Sequence, residues 1–477
     1  MAWTETQPGL WQRPIGENES MIKMIGDAGL ASGKDVWSIS ATARFSASTH
    51  SKPLTQALRD GWVALRFRHP SIATSVSDGD NTVHYHVPGG PTDNELARWL
   101  GESFIALHEK SSTDQILGLL PPQRFACCYY LEYSNEVVLH LSHWRTDGIG
   151  AFHLLDALFS AAAEHLHHDL DLYELSWGQE AVRLVPSVEE ALQLPTTPTK
   201  TIHTATKTYL STLGHVQDAL GIASMQHSTD STDESTKPAE AAIRATELPT
   251  LSFSVEQTAE LLSACSKHGI RFEAALHASV AAAACSIAPS TDAVSHQHKH
   301  HTSTLRHSLR PHLPAPYDGE AGAAGLYTAG YLVKVPTTQS WLDNARYYES
   351  EYAKGATPDL LCSRRQYALE MKAIMSRAVP PNNPPPCGLD MSWVPGAQEL
   401  VDTMYENAHD SSRFLRVERI GISVDVLSQH AYVFAWIFDG QIQFRLAFNR
   451  AFYDDGFAAD VLDLVAQSLT SNLDAAF

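Results

Sequence analysis

The stretch Glu136-Val-Val-Leu-His-Leu-Ser-His143-Trp-Arg-Thr-Asp147-Gly-Ile-Gly150-Ala-Phe-His-Leu-Leu-Asp-Ala-Leu-Phe159 decides how the chain is read. Glu136 to Ser142 is an apolar run of strand length. From Ile149 to roughly Leu166, Phe152, Leu155, Phe159 and Ala163 fall on one helical face. His143 to Gly148 is therefore a turn that carries the chain from a strand into a helix. An imidazole at a strand end is well placed to reach into a cleft. Its ordinary pKa near 6.5 lets it take a proton from an alcohol at neutral pH and return it later. Asp147 can hold the turn through a charged hydrogen bond, and Gly148 permits a tight bend or a close backbone approach. A His and an Asp four residues apart are also the spacing of an ion pair on a helix face, but the strand-end placement favours the functional reading.

Working outward, Phe125 to Tyr133 pairs with Glu136 to Ser142 across Ser134-Asn135. Phe45 to Thr49 reads as a strand, and Leu54 to Phe67 as a helix ended by His69-Pro70. Past about Pro195 the character changes. Ser224 to Ala239 is nearly all Ser, Thr, Asp, Glu, Gln and Lys, too polar to offset its ordering entropy by burial, and reads as a mobile part of a connector. Order resumes with a strand at Leu248 to Phe253. The capping box Ser254-Val-Glu-Gln257 starts a helix to Lys267, Gly269 stops it, and Phe272 opens another through Ala284. Tyr432 to Phe438 and Ile442 to Phe448, joined by Asp439-Gly440, form a hairpin. A helix from about Gly456 to Leu469 closes the chain. The expected layout is α/β: residues 1–200, a partly disordered connector 201–245, and residues 246–477.

Length and composition set limits. The 477 residues are too many for one ordinary core. With 34 Lys+Arg against 54 Asp+Glu, the formal charge is −20, which disfavours nucleic acid and anionic membranes as partners. No apolar run approaches the roughly 18 residues of a membrane span. The longest, Ala274 to Ile287, carries His277 and reads as a buried helix with a satisfied core histidine. The start has no basic region leading into an apolar one, and six cysteines show no CxxC pair. A reducing cytoplasm is the expected location, and the Asn18-Glu-Ser20 sequon is then a chance match. Ser295-His-Gln-His-Lys-His-His301 lacks interleaved Cys, Asp or Glu and reads as a solvated loop rather than a metal site. His165 to Asp169 reads as a helix C-cap, and Cys127 and Cys128 as buried thiols. No P-loop or GxSxG elbow occurs.

The strand–HxxxDG–helix arrangement resembles the CoA-dependent acyltransferase superfamily, which includes chloramphenicol acetyltransferase, plant BAHD enzymes, trichothecene acetyltransferases and peptide-synthetase condensation domains. Other stretches carry the likeness through most of the chain. Leu251 to Leu262 followed by Gly269 to Ala278 is similar to the helix pair that opens the family's second half. Ser308-Leu-Arg310-Pro-His-Leu-Pro314 resembles its Asn/Asp-x-Arg-Pro-x-Leu-Pro segment. Gly325 to Gly330 resembles its glycine-rich strand, and Tyr432 to Asn449 its late hairpin. The ensemble looks most like relatives of the fungal trichothecene 15-O-acetyltransferases.

The resemblance implies two chloramphenicol-acetyltransferase-like subdomains with mixed sheets and an active-site channel at their interface. It implies transfer of an acyl group, expected to be acetyl from acetyl-CoA, to a hydroxyl of a small secondary metabolite such as a sesquiterpenoid. No metal and no acyl-enzyme are implied, and the family's usual form is a monomer. His143 would be the general base. Asp147 would be structural, paired with Arg310, with Arg306 as the alternative because it shares the segment. Ser392 or Trp393 would donate to the oxyanion. There are departures. Condensation domains carry a second His where this chain has Ser142, the BAHD Asp-Phe-Gly-Trp-Gly stretch has no match, and Ser308 replaces Asn or Asp. The other readings on such a scaffold are cyclisation or pericyclic chemistry on a polyketide or terpenoid, and a non-catalytic binding domain.

Overall fold

The structure is a computed structural model. It describes every residue except 1, 49–51, 78, 80, 90–93, 167–169, 171–174, 223–245, 289–297, 378–386, 409 and 475–477. The polar stretch Ser224 to Ala239 lies outside the described residues. The chain forms two compact units, and neither is one continuous run. Met1–Thr197, Leu309–Thr328 and Gly396–Val424 make the first; Pro198–Ser308, Ala329–Pro395 and Asp425–Phe477 make the second. The fold is α/β with mixed sheets.

The first unit is built on a six-stranded sheet in the order Met404–Asn407, Asp410–Val424, Ile39–Ala47, Glu136–Leu141, Cys127–Leu131, Phe104–Leu107. All neighbours run antiparallel except the last pair. The hairpin predicted around Ser134-Asn135 is present, with Asn135 at φ 50° in the turn. The strand expected at Phe45 to Thr49 instead starts at Ile39, and Ile39 to Ala43 are all buried. Ser40, Ala41, Thr42 and Ala43 are small, so the sequence shows little apolar contrast there, yet the strand is central. Register places Ser40 opposite His140, and Ser40 Oγ meets His140 Nδ1 at 2.9 Å. Burial, with Lys34 nearby, pushes His140 down to about 3.

The helices Leu54–Arg68 and Gly148–Glu164 pack together against this sheet. Gly61 makes the approach possible, since a Cβ there would lie 2.9 Å from the Ala162 backbone nitrogen. The Phe159 ring meets Phe45 edge-on at 5.2 Å, tying the second helix to the sheet. Burying each such side chain contributes about 1.5–3 kcal/mol. Asn18 is buried, with its backbone N–H and side-chain amide both donating to Glu189 Oε1, so the folded chain does not present the sequon to a modifying enzyme.

In the second unit a sheet runs Thr250–Ser252, Gln441–Asn449, Ala431–Phe438, Leu389–Trp393, the last pair parallel. Asp439 and Gly440 both take positive φ, 48° and 69°, the twist a two-residue hairpin requires. Ser254 and Gln257 form the expected capping box on Val255–Lys267, and Gly269 at φ 63° follows that helix. Phe272–Ile287 and Phe457–Asp474 supply much of the apolar core. His277 is a satisfied core histidine. It stacks on Tyr348 at 3.9 Å, and its ring nitrogens meet Tyr352 Oη and Ser303 Oγ.

One reading is corrected here. His300 and His301 do not belong to a solvated loop; they open the strand His300–Ser308, and buried His301 bonds the Leu389 carbonyl at 2.9 Å. Strand pairing recruited them, a long-range effect that local polarity hides. The helix Lys200–Ser211 and a 3-10 turn to Val216 occupy the start of the stretch 201–245, of which 223–245 lie outside the described residues. Among the described residues no single helix is long and apolar enough to cross a membrane.

Candidate active site

The strand Glu136–Leu141 ends at Ser142, and His143–Arg145 makes one 3-10 turn. Thr146 and Asp147 are extended, and Asp147 caps the helix Gly148–Glu164 by accepting from Gly150 N at 3.0 Å. Asp147 thus sits where an N-cap carboxylate satisfies an orphan backbone donor and faces the positive helix end.

The other partners of Asp147 come from a segment far along the chain. Arg310 Nη1 lies 2.6 Å from Oδ1 and 2.7 Å from Oδ2, and Tyr327 N donates to Oδ2 at 2.9 Å. Both charged side chains are buried, at 4% and 6% exposure. Arg310 Nη2 also donates to Gly322 O at 3.2 Å. Arg306, the alternative partner, instead pairs with Asp390 at 2.9 Å in the second unit. Both carboxylate oxygens of Asp147 are thus occupied by donors.

His143 is half-buried, and its Nδ1 lies 3.0 Å from the Thr146 carbonyl oxygen. A carbonyl only accepts, so the neutral ring carries its proton on Nδ1 and its lone pair on Nε2. Thr146 is itself pinned, because its Oγ1 donates to Ala323 O at 2.7 Å. Arg145 is buried beneath the turn and donates to the carbonyls of Thr74 and Arg124. Burial lowers its pKa to about 10, still cationic at neutral pH. A ring held at Nδ1, on a turn anchored from three sides, can accept a proton at a fixed point.

Of the residues singled out from sequence, the structure brings His143, Asp147, Gly148 and Arg310 together in the first unit. Ser392 and Trp393 belong to the second, half-buried on Leu389–Trp393, with the Trp393 ring 5.2 Å from Phe272. Gly148 is simply the first helical residue. The tight approach occurs at Gly150, where a Cβ would fall 2.2 Å from Ala323 O, 2.4 Å from Thr146 Oγ1 and 2.8 Å from Arg310 Nη2. Gly150, Thr146 and Tyr327 were not identified from sequence as site residues. The second glycine of Gly148-Ile-Gly150 was the one visible sign of the first of them. Among the described residues no group of His, Cys, Asp or Glu is arranged to hold a metal ion.

No family model matches the chain. Among curated proteins it is 37% identical over 476 residues to the acetyltransferase pigO of Monascus ruber, covering 99% of this chain and 98% of that one. The chain belongs to this acetyltransferase family. It is also 25% identical to the O-acetyltransferase pigM of Monascus ruber, over 99% of this chain and 87% of the relative. Among solved structures, the trichothecene 15-O-acetyltransferase of Fusarium sporotrichioides superposes with a TM-score of 0.76 at 14% identity, covering 98% of this chain and 97% of that one. That likeness is one of fold. The protein is an acyltransferase that uses an acyl-CoA and a small-molecule hydroxyl acceptor.

Proposed function

We propose that the enzyme transfers an acetyl group from acetyl-CoA to a hydroxyl of a small secondary metabolite, such as a sesquiterpenoid, with His143 as general base. The observation that carries this reading is the His143 Nδ1 contact with Thr146 O at 3.0 Å, which leaves the proton-accepting lone pair on Nε2. The acceptor hydroxyl gives its proton to Nε2 as its oxygen attacks the thioester carbonyl. The tetrahedral intermediate then collapses, breaking the C–S bond. The departing thiolate takes the proton back from the imidazolium, so ester and free CoA thiol leave and the neutral ring is restored. No acyl-enzyme forms. The names of the relatives support acetyl as the group, and the trichothecene enzyme supports a terpenoid acceptor.

The test is His143→Ala, assayed by release of free CoA thiol against a panel of hydroxylated metabolites. The expected result is a fall in kcat of about 10²–10⁴-fold with the fold intact by circular dichroism. Near wild-type turnover in this variant would overturn the assignment. Thiol release without ester formation would instead favour hydrolysis.

A further inference from the structure

Thr146 sits inside the HxxxDG turn, and its backbone and side chain make contacts in different directions. Its carbonyl oxygen lies 3.0 Å from His143 Nδ1. Its hydroxyl lies 2.7 Å from Ala323 O and 3.3 Å from Asp147 O. A hydroxyl has one proton to give, and the shorter contact takes it. The residue is fully buried. Threonine is stiff at χ1, so a hydroxyl fixed on Ala323 O fixes the Thr146 backbone with it.

Ala323 is a firm anchor for that hydroxyl. It follows the 3-10 turn Glu320–Gly322, and its own N–H donates to Glu320 O at 2.8 Å. The preceding carbonyl, Gly322 O, accepts from Arg310 Nη2 at 3.2 Å. On the same turn, Glu320 Oε1 lies 3.2 Å from His69 Nε2. Successive carbonyls of one turn therefore receive Thr146 and Arg310. The space in which hydroxyl and carbonyl meet exists because position 150 is glycine. A Cβ there would fall 2.2 Å from Ala323 O and 2.4 Å from Thr146 Oγ1.

The Asp147 carboxylate is engaged elsewhere, with Gly150 N, Arg310 and Tyr327 N. We propose that Thr146 is the positioning residue for His143: its hydroxyl, anchored on Ala323 O, aims the Thr146 carbonyl at Nδ1 and so selects the tautomer with its lone pair on Nε2. The inference rests on His143 being the base. The two residues then divide the work of the turn. Asp147 holds Arg310 and the helix start, and Thr146 holds the imidazole.

The experiment compares folded Thr146→Val and Thr146→Ser with wild type. Valine keeps the branched shape and loses the donor; serine keeps the donor. By CoA thiol release, Thr146→Val should lower kcat about tenfold or more with KM for acetyl-CoA unchanged, and Thr146→Ser should recover most of that loss. The tautomer is read apart from activity by ¹⁵N NMR of histidine-labelled protein, with the His143 signals identified by their absence from His143→Gln. Wild type should show Nδ1 protonated and Nε2 unprotonated, and Thr146→Val a mixture of the two tautomers. Wild-type kcat in Thr146→Val, an equal loss in Thr146→Ser, or an unchanged single tautomer in Thr146→Val overturns the proposal. Should Thr146→Val fail to fold, Thr146→Ala, which leaves room for a water on Ala323 O, is judged by the same two measurements. Failure of the general-base reading shows separately, as activity in His143→Ala.

Discussion

Replacing Asp147 by Asn separates a structural carboxylate from a chemical one. The change keeps shape and volume and leaves a carbonyl oxygen that can still cap Gly150 N. It removes the charge that compensates Arg310, a guanidinium only 4% exposed, and turns an NH2 group toward either Arg310 or the Tyr327 N–H. Breaking a buried pair from one side costs about 3–5 kcal/mol, because the remaining charge stays buried. We take about 3 kcal/mol, since one cap survives. For a folding unit of this size each kcal/mol shifts the melting temperature by about 2–4 °C, so the midpoint should fall by about 6–12 °C. The assay is thermal melting by far-UV circular dichroism beside kcat measured well below the variant's midpoint. Activity there should stay within about tenfold of wild type, because both carboxylate oxygens face donors rather than a reacting group. Asp147→Asn/Arg310→Met provides the internal control. Removing the orphaned guanidinium should restore part of the lost stability. A variant that melts like wild type but is inactive would refute this reasoning and place Asp147 in the chemistry.

Two further outcomes follow from the same packing. Gly150→Ala drives a methyl group into Ala323 O and Thr146 Oγ1, and should cost about 1–3 kcal/mol and lower soluble yield; a melting temperature equal to wild type would show that the turn has room. His140 and His277 are both held neutral by burial, with pKa values lowered to about 3 from 6.5. Between those values the unfolded chain binds more protons, so stability is full above pH 6.5 and falls as pH drops toward 3. Each histidine contributes a slope of about 1.4 kcal/mol per pH unit. Melting temperatures between pH 7 and 4 check this, and His140→Gln should flatten the decline.

Much of the fold was legible locally. The strand–turn–helix from Glu136 to Glu164, the Ser254 capping box and the Asp439-Gly440 hairpin all follow from periodicity and turn chemistry acting within a few residues. The strand at Ile39 was partly hidden, because a central strand built from Ser, Ala and Thr shows little apolar contrast even though its residues are buried. His301 was misread for a related reason. Its neighbours are polar, and only the pairing of its strand and the Leu389 carbonyl make it a core residue.

The site divides in the same way. From its own residues the chain marked the strand-end turn, where His143 is placed to reach a cleft and Asp147 can hold the loop. The arginine segment by itself left both Arg306 and Arg310 open, and the family resemblance favoured Arg310. What meets what was decided by packing. Arg310 reaches Asp147 across 163 positions and Arg306 is drawn to Asp390, while Tyr327 N and Gly150 complete surroundings that no local pattern records. Residue types and short-range periods are written along the chain. The burial that removes water from a charge, and so determines which partner it must find, exists only once distant segments have closed around it.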